Sequence, residues 1–572
     1  MVARATTNIL SQSEGKIMFY KDILVPIPEK KRIRKNNGPA YVYEVLKRKG
    51  PNSKKDVVKC VGIAVNETEM NPNENYFLLH EDMRAEQPLG EETVFENQIY
   101  IGANLMLRKI GEMEGLLPLM KEVFREKSEL IFSLLEYYLI RRDSVAQLYK
   151  YYRRNHYSEL NYIPSESTIS RLFTDYLDHE IISEFCQEWM KRRVERMGRD
   201  SVIDIDFDST NYNVSSRGVT LSEFGEAKVK EGLPQVNVAY FLDRKTGIPI
   251  YFDLYYGSII DMTHCQRALE KIQTIKKDVR GSFVMDRGYF SMANLQYFEE
   301  NGFDYLCMGK SNTWFKEYIE KHPPEEMGDP RNRVFSTYYG IHFKGRTFKE
   351  DSKERHVYLF YNEGDISRIY TQKQDYVEYC ASNLVGKKDE KGGIRNTYGG
   401  FIDLTLDENN VITEATPNYD YLKNFKKECG YFWVVTTEDT TPKEILNSYR
   451  HRSIIEKQFE FAKSGADLNK TYASSDTAFE AKTFMGFMAA ILRAAIIVKL
   501  RPYFLQYSNE TSQTVLLELD KIKAEKLNDR YLLRCALTAR QKQILSHFDL
   551  RTQDVFKLID DLNFTMDLTP KF

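Results

Sequence analysis

Four side chains that could bind or cut a phosphodiester follow one another along residues 441–470, TPKEILNSYRHRSIIEKQFEFAKSGADLNK. They are Tyr449, Arg452, Glu456 and Lys463, and at about 100° per residue of an α-helix they project within roughly 60° of one another. A phenol, a guanidinium and an ammonium can each bind a phosphate, and a single carboxylate among them can bind a divalent metal ion. The pattern therefore indicates chemistry on a phosphodiester, and an exposed amphipathic helix with ordinary ion pairs is the alternative.

The segment around these residues has the end signals of a single helix. Thr441 can cap its start, Pro442 suits the first turn, Glu444 can complete a capping box, and Gly465 suits a left-handed stop. We therefore predict one continuous helix over residues 441–465. Apolar residues on the adjoining arc would anchor this helix to a core, namely Ile455, Phe459 and Ala462.

Acidic residues elsewhere in the chain stand where strands are expected to end. Residues 201–208 alternate strictly between apolar and acidic, so three aspartates share one face of a predicted strand: Asp204, Asp206 and Asp208. Asp286 follows the short apolar run 282–285, which predicts a buried strand. Because loops beyond strand ends present side chains to ligands, these aspartates are candidates to join Glu456 at one site.

The spacing Tyr, two residues, Arg, three residues, Glu, six residues, Lys resembles the YREK motif of one branch of bacterial insertion-sequence DDE transposases. Asp286, within the run VMDRGYF, resembles the second catalytic aspartate of that family, and Asp208, followed two residues later by Thr210, resembles the first. The resemblance covers residues 200–500 well. Asp206 stays open as the first ligand because it shares a strand face with Asp208, but the Asp-x-Thr pattern favours Asp208.

The three acids together indicate a two-metal-ion site. Two aspartates and a glutamate that converge from separate elements can hold two Mg²⁺ ions roughly 4 Å apart, with Mn²⁺ as a ready substitute. Asp208, Asp286 and Glu456 are therefore the predicted catalytic residues and metal ligands. Asp286 could instead cap the turn before Gly288.

Cationic and phenolic side chains are predicted to contact the DNA. Three of them lie on the predicted helix and would bind phosphates near the cut, namely Tyr449, Arg452 and Lys463. Arg287 and Lys228 are weaker candidates, because an ordinary surface charge also explains each of them. Arg171 lies in residues 164–173, whose small hydroxyl residues favour the start of a recognition helix. Ordinary helix capping explains the same residues.

The order of predicted elements indicates a multi-domain α/β protein. After residue 201, three strands, a helix at residues 263–276, a strand, a helix and a strand fit a ribonuclease-H-like mixed-sheet core. A β-rich insertion interrupts this core, the N-terminal region is mainly helical, and the C-terminal tail is helical, with one helix over residues 514–526. The predicted boundaries are a small basic β-rich module (1–75), a helical DNA-end-binding region (76–200), the first part of the core (201–310), the insertion (311–430), the second part of the core with the YREK helix (431–470) and a helical C-terminal region (471–572).

Composition constrains the class of protein. The chain has 572 residues, a net charge of −2 and 42% hydrophobic residues, which predicts several folded domains without a globally basic surface. Lys and Arg nevertheless concentrate in residues 30–59 and 141–154, where either a solvated face or phosphate contact explains them. The apolar run 484–498 contains Arg493 and predicts a buried helix, not a membrane span. We expect a cytoplasmic bacterial protein that associates with the nucleoid when bound to DNA.

These observations predict a cut-and-paste DNA transposase. The resemblance implies that it binds the terminal inverted repeats of its own element as double-stranded DNA, cuts them, joins them to target DNA, and acts as a homodimer on paired ends. Two alternatives stay open, a catalytically inactive transposase-derived DNA-binding protein and a ribonuclease-H-like metal-dependent nuclease that cuts without joining. A paired-carboxylate glycosidase is remote because it leaves the aligned Tyr, Arg and Lys unexplained.

Overall fold

The structure, a computed structural model, divides into two compact units. The residues it describes are 23–35, 38–47, 57–80, 91–92, 97–197, 203–214, 216–225, 233–259, 270, 281–465, 473–527 and 530–568. The first unit lies within Met1–Val94 and Asn161–Thr168, and the second lies within Phe95–Leu160 and Ile169–Phe572.

The β-strands of the described residues are, in chain order, β1 (Val25–Pro26), β2 (Lys31–Lys35), β3 (Ala40–Lys47), β4 (Val57–Ala64), β5 (Glu69–Pro72), β6 (Glu91–Glu92), β7 (Gln98–Tyr100), β8 (Tyr162–Ile163), β9 (Ile203–Asn213), β10 (Gln235–Asp243), β11 (Pro249–Tyr256), β12 (Gly281–Met285), β13 (Asp304–Met308), β14 (Arg333–Phe335), β15 (Tyr338–Arg346), β16 (Glu354–Asn362), β17 (Ile402–Leu406), β18 (Ile412–Pro417), β19 (Tyr431–Thr436), β20 (Lys523–Leu527) and β21 (Arg530–Leu533).

The α-helices of the same residues are α1 (Glu74–Leu79), α2 (Gly102–Met113), α3 (Leu116–Phe124), α4 (Ser128–Arg141), α5 (Ala146–Asn155), α6 (Glu166–Arg171), α7 (His179–Met197), α8 (Met292–Glu300), α9 (Thr313–Lys321), α10 (Pro324–Met327), α11 (Ile366–Ser382), α12 (Gly393–Tyr398), α13 (Tyr419–Glu428), α14 (Pro442–His451), α15 (Ser453–Gly465), α16 (Asp476–Lys499), α17 (Arg501–Gln506), α18 (Ser512–Leu519), α19 (Ala539–Ser546) and α20 (Thr552–Leu568).

The first unit is built on a five-stranded antiparallel sheet in the order β1-β5-β4-β3-β2. Its small core includes Val42, Val61 and Met70, which are fully buried. The edge strand β2 has the sequence KRIRK, and all five of its residues are exposed. An edge strand with this much positive charge resists pairing with another sheet and presents cations to solvent.

The second unit is organised around a nine-stranded sheet in the order β11-β10-β9-β12-β13-β19-β16-β15-β14. Strands β11, β10 and β9 are antiparallel neighbours, whereas β9, β12 and β13 run parallel to one another. The remaining pairs, from β13 to β14, are antiparallel. Two of the parallel strands, β9 and β12, are the ones that the alternation of residues 201–208 and the apolar run 282–285 predicted.

The two faces of this sheet bury different side chains. Ile205 and Phe207 of β9 lie in the large core on one face, together with Met285 of β12. The opposite face packs Val284 of β12 against Ile445 of α14 and other apolar residues. Since side chains alternate across a strand, the even-numbered aspartates of β9 point to the face that α14 covers.

The segment 311–430, expected as a β-rich insertion, contributes to two structures. Strands β14, β15 and β16 extend the central sheet beyond β19. The hairpin β17–β18 packs with α11, α12 and α13 around a separate small core that includes Leu384, Ile402 and Leu422. Alternation in the sequence predicts a strand but carries no information about which sheet the strand joins.

Residues 514–526 were predicted as one helix, and this prediction is wrong. Helix α18 ends at Leu519, and Lys523–Leu527 form β20, which pairs with β21 and β7 in a three-stranded sheet. Pairing with both neighbours satisfies the backbone of β20, so tertiary context overrides local helical preference. All but one of the residues of the helix predicted at 263–276 lie outside the described residues.

Helix α16 is, among the described residues, the one helix long and apolar enough by composition to cross a membrane. It is buried inside the second unit, where it contacts α2, α4, α7, α15 and β11. Its apolar character is accounted for by packing on all sides, as in a core helix.

Candidate active site

The two aspartates sit side by side on neighbouring parallel strands. The register pairs Asp204 with Ser282 and Asp206 with Val284. Continuing this register by two residues brings Asp208 opposite Asp286 on the same face of the sheet. Asp286 directly follows β12, as predicted, but Asp208 lies in the middle of β9 because the strand continues to Asn213. The expectation that Asp208 ends its strand is therefore wrong.

The continuous helix predicted for residues 441–465 is two helices, with Arg452 at the junction between α14 and α15. The capping box at Thr441 and Glu444 is present, as predicted. At the junction the Arg452 backbone N–H donates to the Tyr449 carbonyl at 3.1 Å, and Arg452 accepts from Ile455 at 3.0 Å. These bonds span three residues, so the chain tightens and bends there.

The bend has a packing cause. Ile445 and Leu446 of α14 are buried against β12, β13 and β16. In α15, Ile455 is fully buried and the ring of Phe459 lies 4.9 Å from that of Tyr240 on β10. The two halves of the segment therefore dock on different parts of the sheet.

The Arg452 guanidinium joins the three predicted acids. Its Nη1 donates to Asp208 Oδ2 at 2.8 Å and lies 3.7 Å from Asp286 Oδ2. Its Nη2 donates to Glu456 Oε1 at 2.7 Å. Three carboxylates from three different elements thus surround one positive charge. Burial alone would lower the pKa of Arg452, but Tyr449 and the three acids together raise it above its ordinary value.

Tyr449 and Lys463 extend this arrangement along the helices. The Tyr449 hydroxyl donates to Asp286 Oδ1 at 3.3 Å, and burial is the first cause that raises the pKa of this phenol. Lys463 Nζ donates to Thr210 Oγ1 at 2.5 Å, two residues beyond Asp208 on the same strand face. Three of the four residues of the sequence pattern, Tyr449, Arg452 and Lys463, therefore contact β9 or Asp286, and Glu456 joins them through Arg452.

Asp206, the alternative to Asp208, is held away from this cluster. Its side chain is 1% exposed and accepts from Arg244 Nε at 3.1 Å. Burial is the main cause that raises the pKa of Asp206 to about 6, although Arg244 lowers it. The geometry thus brings Asp208, and not Asp206, to Glu456 and Asp286.

The donor set of the cluster suits a divalent cation. Carboxylate oxygens are the ligands that Mg²⁺ and Mn²⁺ prefer, and here three carboxylates already converge on a cationic group. The side chains of Asp286 and Glu456 are 34% and 56% exposed, so both can turn towards an ion. In the described residues Arg452 lies between the three acids, so an ion and this guanidinium compete for the same oxygens.

The weaker DNA-contact candidates are scattered. Arg287 is exposed on a short 3₁₀ turn directly after Asp286. Lys228 lies outside the described residues. Arg171 ends α6, a helix of only six residues that continues into a π-helical turn. Arg153, in the second basic cluster of the sequence, is fully buried and donates to the carbonyls of His156 and Leu160, so neither a solvated face nor a phosphate explains it.

Sequence reasoning missed Arg244 as a partner of the acidic strand. It lies in the turn between β10 and β11, where the sequence indicated only a hairpin connection. Arg244 donates to Asp206 and to the carbonyl of Ser282. The sequence did contain a signal for this contact, namely a cation in the turn between β10 and β11. Because β10 pairs antiparallel with β9, this turn lies beside Asp204 and Asp206.

Comparison with known proteins identifies the domain that holds this cluster. The family model described as the transposase DDE domain matches residues 201–492, just over half of the chain. No curated protein matches the chain significantly.

Three solved structures are similar at low identity. A piggyBac transposase synaptic complex with hairpin DNA has 9% identity and a TM-score of 0.35, with 83% of this chain and 86% of that chain covered. A Mos1 transposase paired-end complex with the left transposon end has 13% identity and a TM-score of 0.14, with 28% and 53% covered. A pre-cleavage Mos1 transpososome has 12% identity and the same TM-score, with 28% and 53% covered.

The matched domain contains β9, β12, α14 and α15, the four elements that bring the acids together. Transposases of this family normally use divalent metal ions and are DNA-cleaving enzymes. The chain belongs to the family of DDE-domain transposases.

Proposed function

We propose that this transposase binds the terminal inverted repeats of a bacterial insertion sequence of the YREK branch and moves it by cut-and-paste transposition. The observation that carries the proposal is the cluster in which Arg452 contacts Asp208, Asp286 and Glu456. The Tyr449 hydroxyl donates a hydrogen bond to Asp286 in the same cluster. Cleavage of a phosphodiester uses both kinds of group in this cluster, because the carboxylates can hold metal ions and the cations can bind phosphates.

We further propose that the catalytic core is ribonuclease-H-like. The order β11-β10-β9-β12-β13, with the first three strands antiparallel and the last three parallel, supports this reading. In such an arrangement the first and fourth strands of the core lie adjacent at its centre, and each carries one of the aspartates. The helix with the glutamate then crosses the same face.

Asp208, Asp286 and Glu456 would hold two Mg²⁺ ions, with Mn²⁺ as a substitute. Such ions activate the attacking oxygen and stabilise the leaving oxygen of an in-line displacement at phosphorus. The chain's own cations bind the DNA. Once its acids bind metal, Arg452 is free to turn its planar guanidinium to two oxygens of one phosphate. Lys463 lies about two turns of helix beyond Glu456 and would bind a phosphate further along the same strand.

Other cations supply contacts to the duplex. Arg287 is exposed next to Asp286, where it would bind a phosphate beside the cut. In the first unit, the exposed strand β2 offers Lys31, Arg32, Arg34 and Lys35. Neutralising several phosphates gives affinity without base recognition, so this strand supports binding of double-stranded DNA and leaves the reading of the end sequence to other residues.

Two transposon ends must be cut and joined to one target, and each chain has one such cluster among its described residues. We therefore propose that the protein acts as a homodimer on paired ends. We place it in the bacterial cytoplasm, on the nucleoid when DNA is bound.

The experiment is excision and reinsertion of a marker flanked by the DNA that borders this gene. Wild type is compared with Glu456→Gln and with a matched control, Glu460→Gln, which lies one turn further along α15 and is also exposed. We expect wild type and Glu460→Gln to move the marker and Glu456→Gln to leave it in place.

Two results would contradict the proposal, and each would favour a different function. Cleavage of the ends by wild type without any joining to target DNA would make the protein a metal-dependent nuclease. Binding of the ends by a wild-type protein that neither cuts nor joins would make it a DNA-binding remnant.

A further inference from the structure

A second cluster of ligating side chains lies at the other end of the central sheet. His342 is on β15 and His356 is on β16, and the register pairs them with Tyr358 and Lys344 respectively. The two histidines are therefore diagonal neighbours on one sheet face. Asp439, in the connection between β19 and α14, lies over the same face.

The three side chains converge closely. His342 Nε2 lies 3.0 Å from His356 Nδ1, and Asp439 Oδ1 lies 3.8 Å from His342 Nδ1 and 3.6 Å from His356 Nδ1. One ligand atom from each residue falls within 4.8 Å of the others, and in the described part of the chain no other group of three His, Cys, Asp or Glu residues does so. These distances involve both ring nitrogens of His342, only one of which can bind a given ion. Ligand atoms about 2.0–2.1 Å from a tetrahedral Zn²⁺ are about 3.3 Å apart, so one atom from each residue, now within 4.8 Å of the others, would draw slightly closer to hold such an ion.

The arrangement of the two imidazole rings and the charges around them bear on metal binding. The rings are nearly parallel, with an interplanar angle of 10° and centroids 5.2 Å apart. Asp439 supplies the negative charge and is 67% exposed, which lets it turn towards an ion. Lys344 is the cation that opposes metal binding, and its side chain is exposed.

We propose that His342, His356 and Asp439 form a second metal site that takes one Zn²⁺ ion. Two imidazoles and one carboxylate suit zinc and other late first-row divalent ions, whereas the three carboxylates around Arg452 suit Mg²⁺ or Mn²⁺. With three protein ligands, a water molecule completes the tetrahedron. The proposal does not depend on the proposed function, because it rests on side chains outside the transposition site.

The place of this site gives it a structural consequence. The Tyr358 hydroxyl donates to the Thr440 carbonyl at 2.8 Å and accepts from the Thr440 backbone N–H at 2.9 Å. The His342 ring stacks on Tyr358 with centroids 4.4 Å apart. An ion bound by Asp439 and the two histidines would link the segment just before α14 to strands β15 and β16. Because α14 carries Tyr449, the zinc site would fix the position of the helix that faces Asp286.

Zinc content is the direct test. The full-length protein is stripped with a chelator, equilibrated with Zn²⁺ in millimolar Mg²⁺ and separated from free metal, and the zinc per chain is then measured. We expect one Zn²⁺ per chain in wild type. His356→Gln and Asp439→Asn should each weaken zinc binding at least tenfold. The exposed histidine His451 on α14 is the matched control, and His451→Gln should retain the ion, as should Glu456→Gln.

Substitution with Co²⁺ supplies an independent readout, since a tetrahedral site with imidazole ligands gives visible absorption bands that an octahedral carboxylate site does not. Circular dichroism shows whether each variant is folded, and Asp439→Asn tests the site even if the histidine variants unfold. Equal zinc retention by wild type, His356→Gln and Asp439→Asn would overturn the proposal. So would a wild-type protein that holds no zinc after separation.

Discussion

Replacement of Arg452 by glutamine should make the transposase bind its catalytic metal more tightly while it cuts DNA more slowly. The Arg452 guanidinium contacts Asp208 at 2.8 Å and Glu456 at 2.7 Å. Any ion that binds these acids must displace those contacts. Glutamine keeps a polar side chain at the junction of α14 and α15 but removes the competing positive charge.

The size of the effect follows from the burial of each contact. The Asp208 side chain is 11% exposed, so its bond to Arg452 contributes about 1.5–3 kcal/mol. Glu456 is 56% exposed, and its bond is therefore screened to about 0.5 kcal/mol. Together these amount to about 2–3.5 kcal/mol, which corresponds to a dissociation constant about 30- to 300-fold lower at about 1.4 kcal/mol per factor of ten.

Titration of Mn²⁺ followed by electron paramagnetic resonance, without DNA, measures this affinity. The matched control is Arg450→Gln, because the Arg450 guanidinium lies 4.1 Å and 4.4 Å from the ring centroids of Phe335 and Tyr338 on β14 and β15. Its removal should leave Mn²⁺ affinity unchanged. Unchanged or weaker Mn²⁺ binding in Arg452→Gln would refute the reasoning, since the metal would then not share the oxygens that Arg452 contacts.

Three further predictions concern neighbouring groups. Tyr449→Phe removes one long hydrogen bond, about 1 kcal/mol, and should slow DNA cleavage about fivefold without changing metal affinity more than threefold. Asp206→Asn should lower stability through its contact with Arg244 yet retain cleavage, whereas Asp208→Asn should abolish it; the opposite pattern in a cleavage assay would reassign the ligand. Burial raises the pKa of Glu136 from 4.5 to about 8, so the folded state favours the protonated carboxyl. The resulting stabilisation is present below about pH 4.5 and is lost as the pH rises to about 8, so the free energy of unfolding should fall over this range in wild type and stay flatter in Glu136→Gln.

The strands of the catalytic region could be predicted because their residues follow simple rules. Strict alternation in residues 201–208 fixes which face Asp206 and Asp208 share, and the buried positions of Ile205 and Phe207 agree with it. The apolar run before Asp286 likewise predicts β12. These patterns depend on local periodicity, which one sequence contains in full.

What the sequence could not reveal depends on distant contacts. The capping box predicted at Thr441 and Glu444 is present, but the bend at Arg452 accompanies docking of α14 and α15 on different strands. Tyr449 and Lys463 therefore lie on two helices, and the prediction that they align along a single helix is wrong, although Tyr449 contacts Asp286 and Lys463 contacts Thr210. The attachment of β14–β16 to the central sheet and the strand β20 depend on pairing partners far along the chain.

Dependence on contacts between residues distant in sequence also separates the two proposed metal sites. Asp208, Asp286 and Glu456 were predicted as metal ligands because they resemble a family pattern in the sequence. His342, His356 and Asp439 belong to no pattern in the sequence, since 14 residues separate the histidines and the aspartate follows a different strand. Only the register of β15 against β16 and the path of the chain after β19 bring them together.

The chemical groups at the cut DNA ends show whether the protein transfers strands as a two-metal-ion transposase does. Purified protein is incubated with Mg²⁺, duplex DNA carrying the native flanking end and a target plasmid, and the product termini are analysed. Our account predicts a 3′-hydroxyl at the transposon end, its covalent joining to the target strand, no protein bound covalently to DNA, and no product from Glu456→Gln. A 3′-phosphate end, a covalent protein–DNA adduct or undiminished cutting by Glu456→Gln would contradict it.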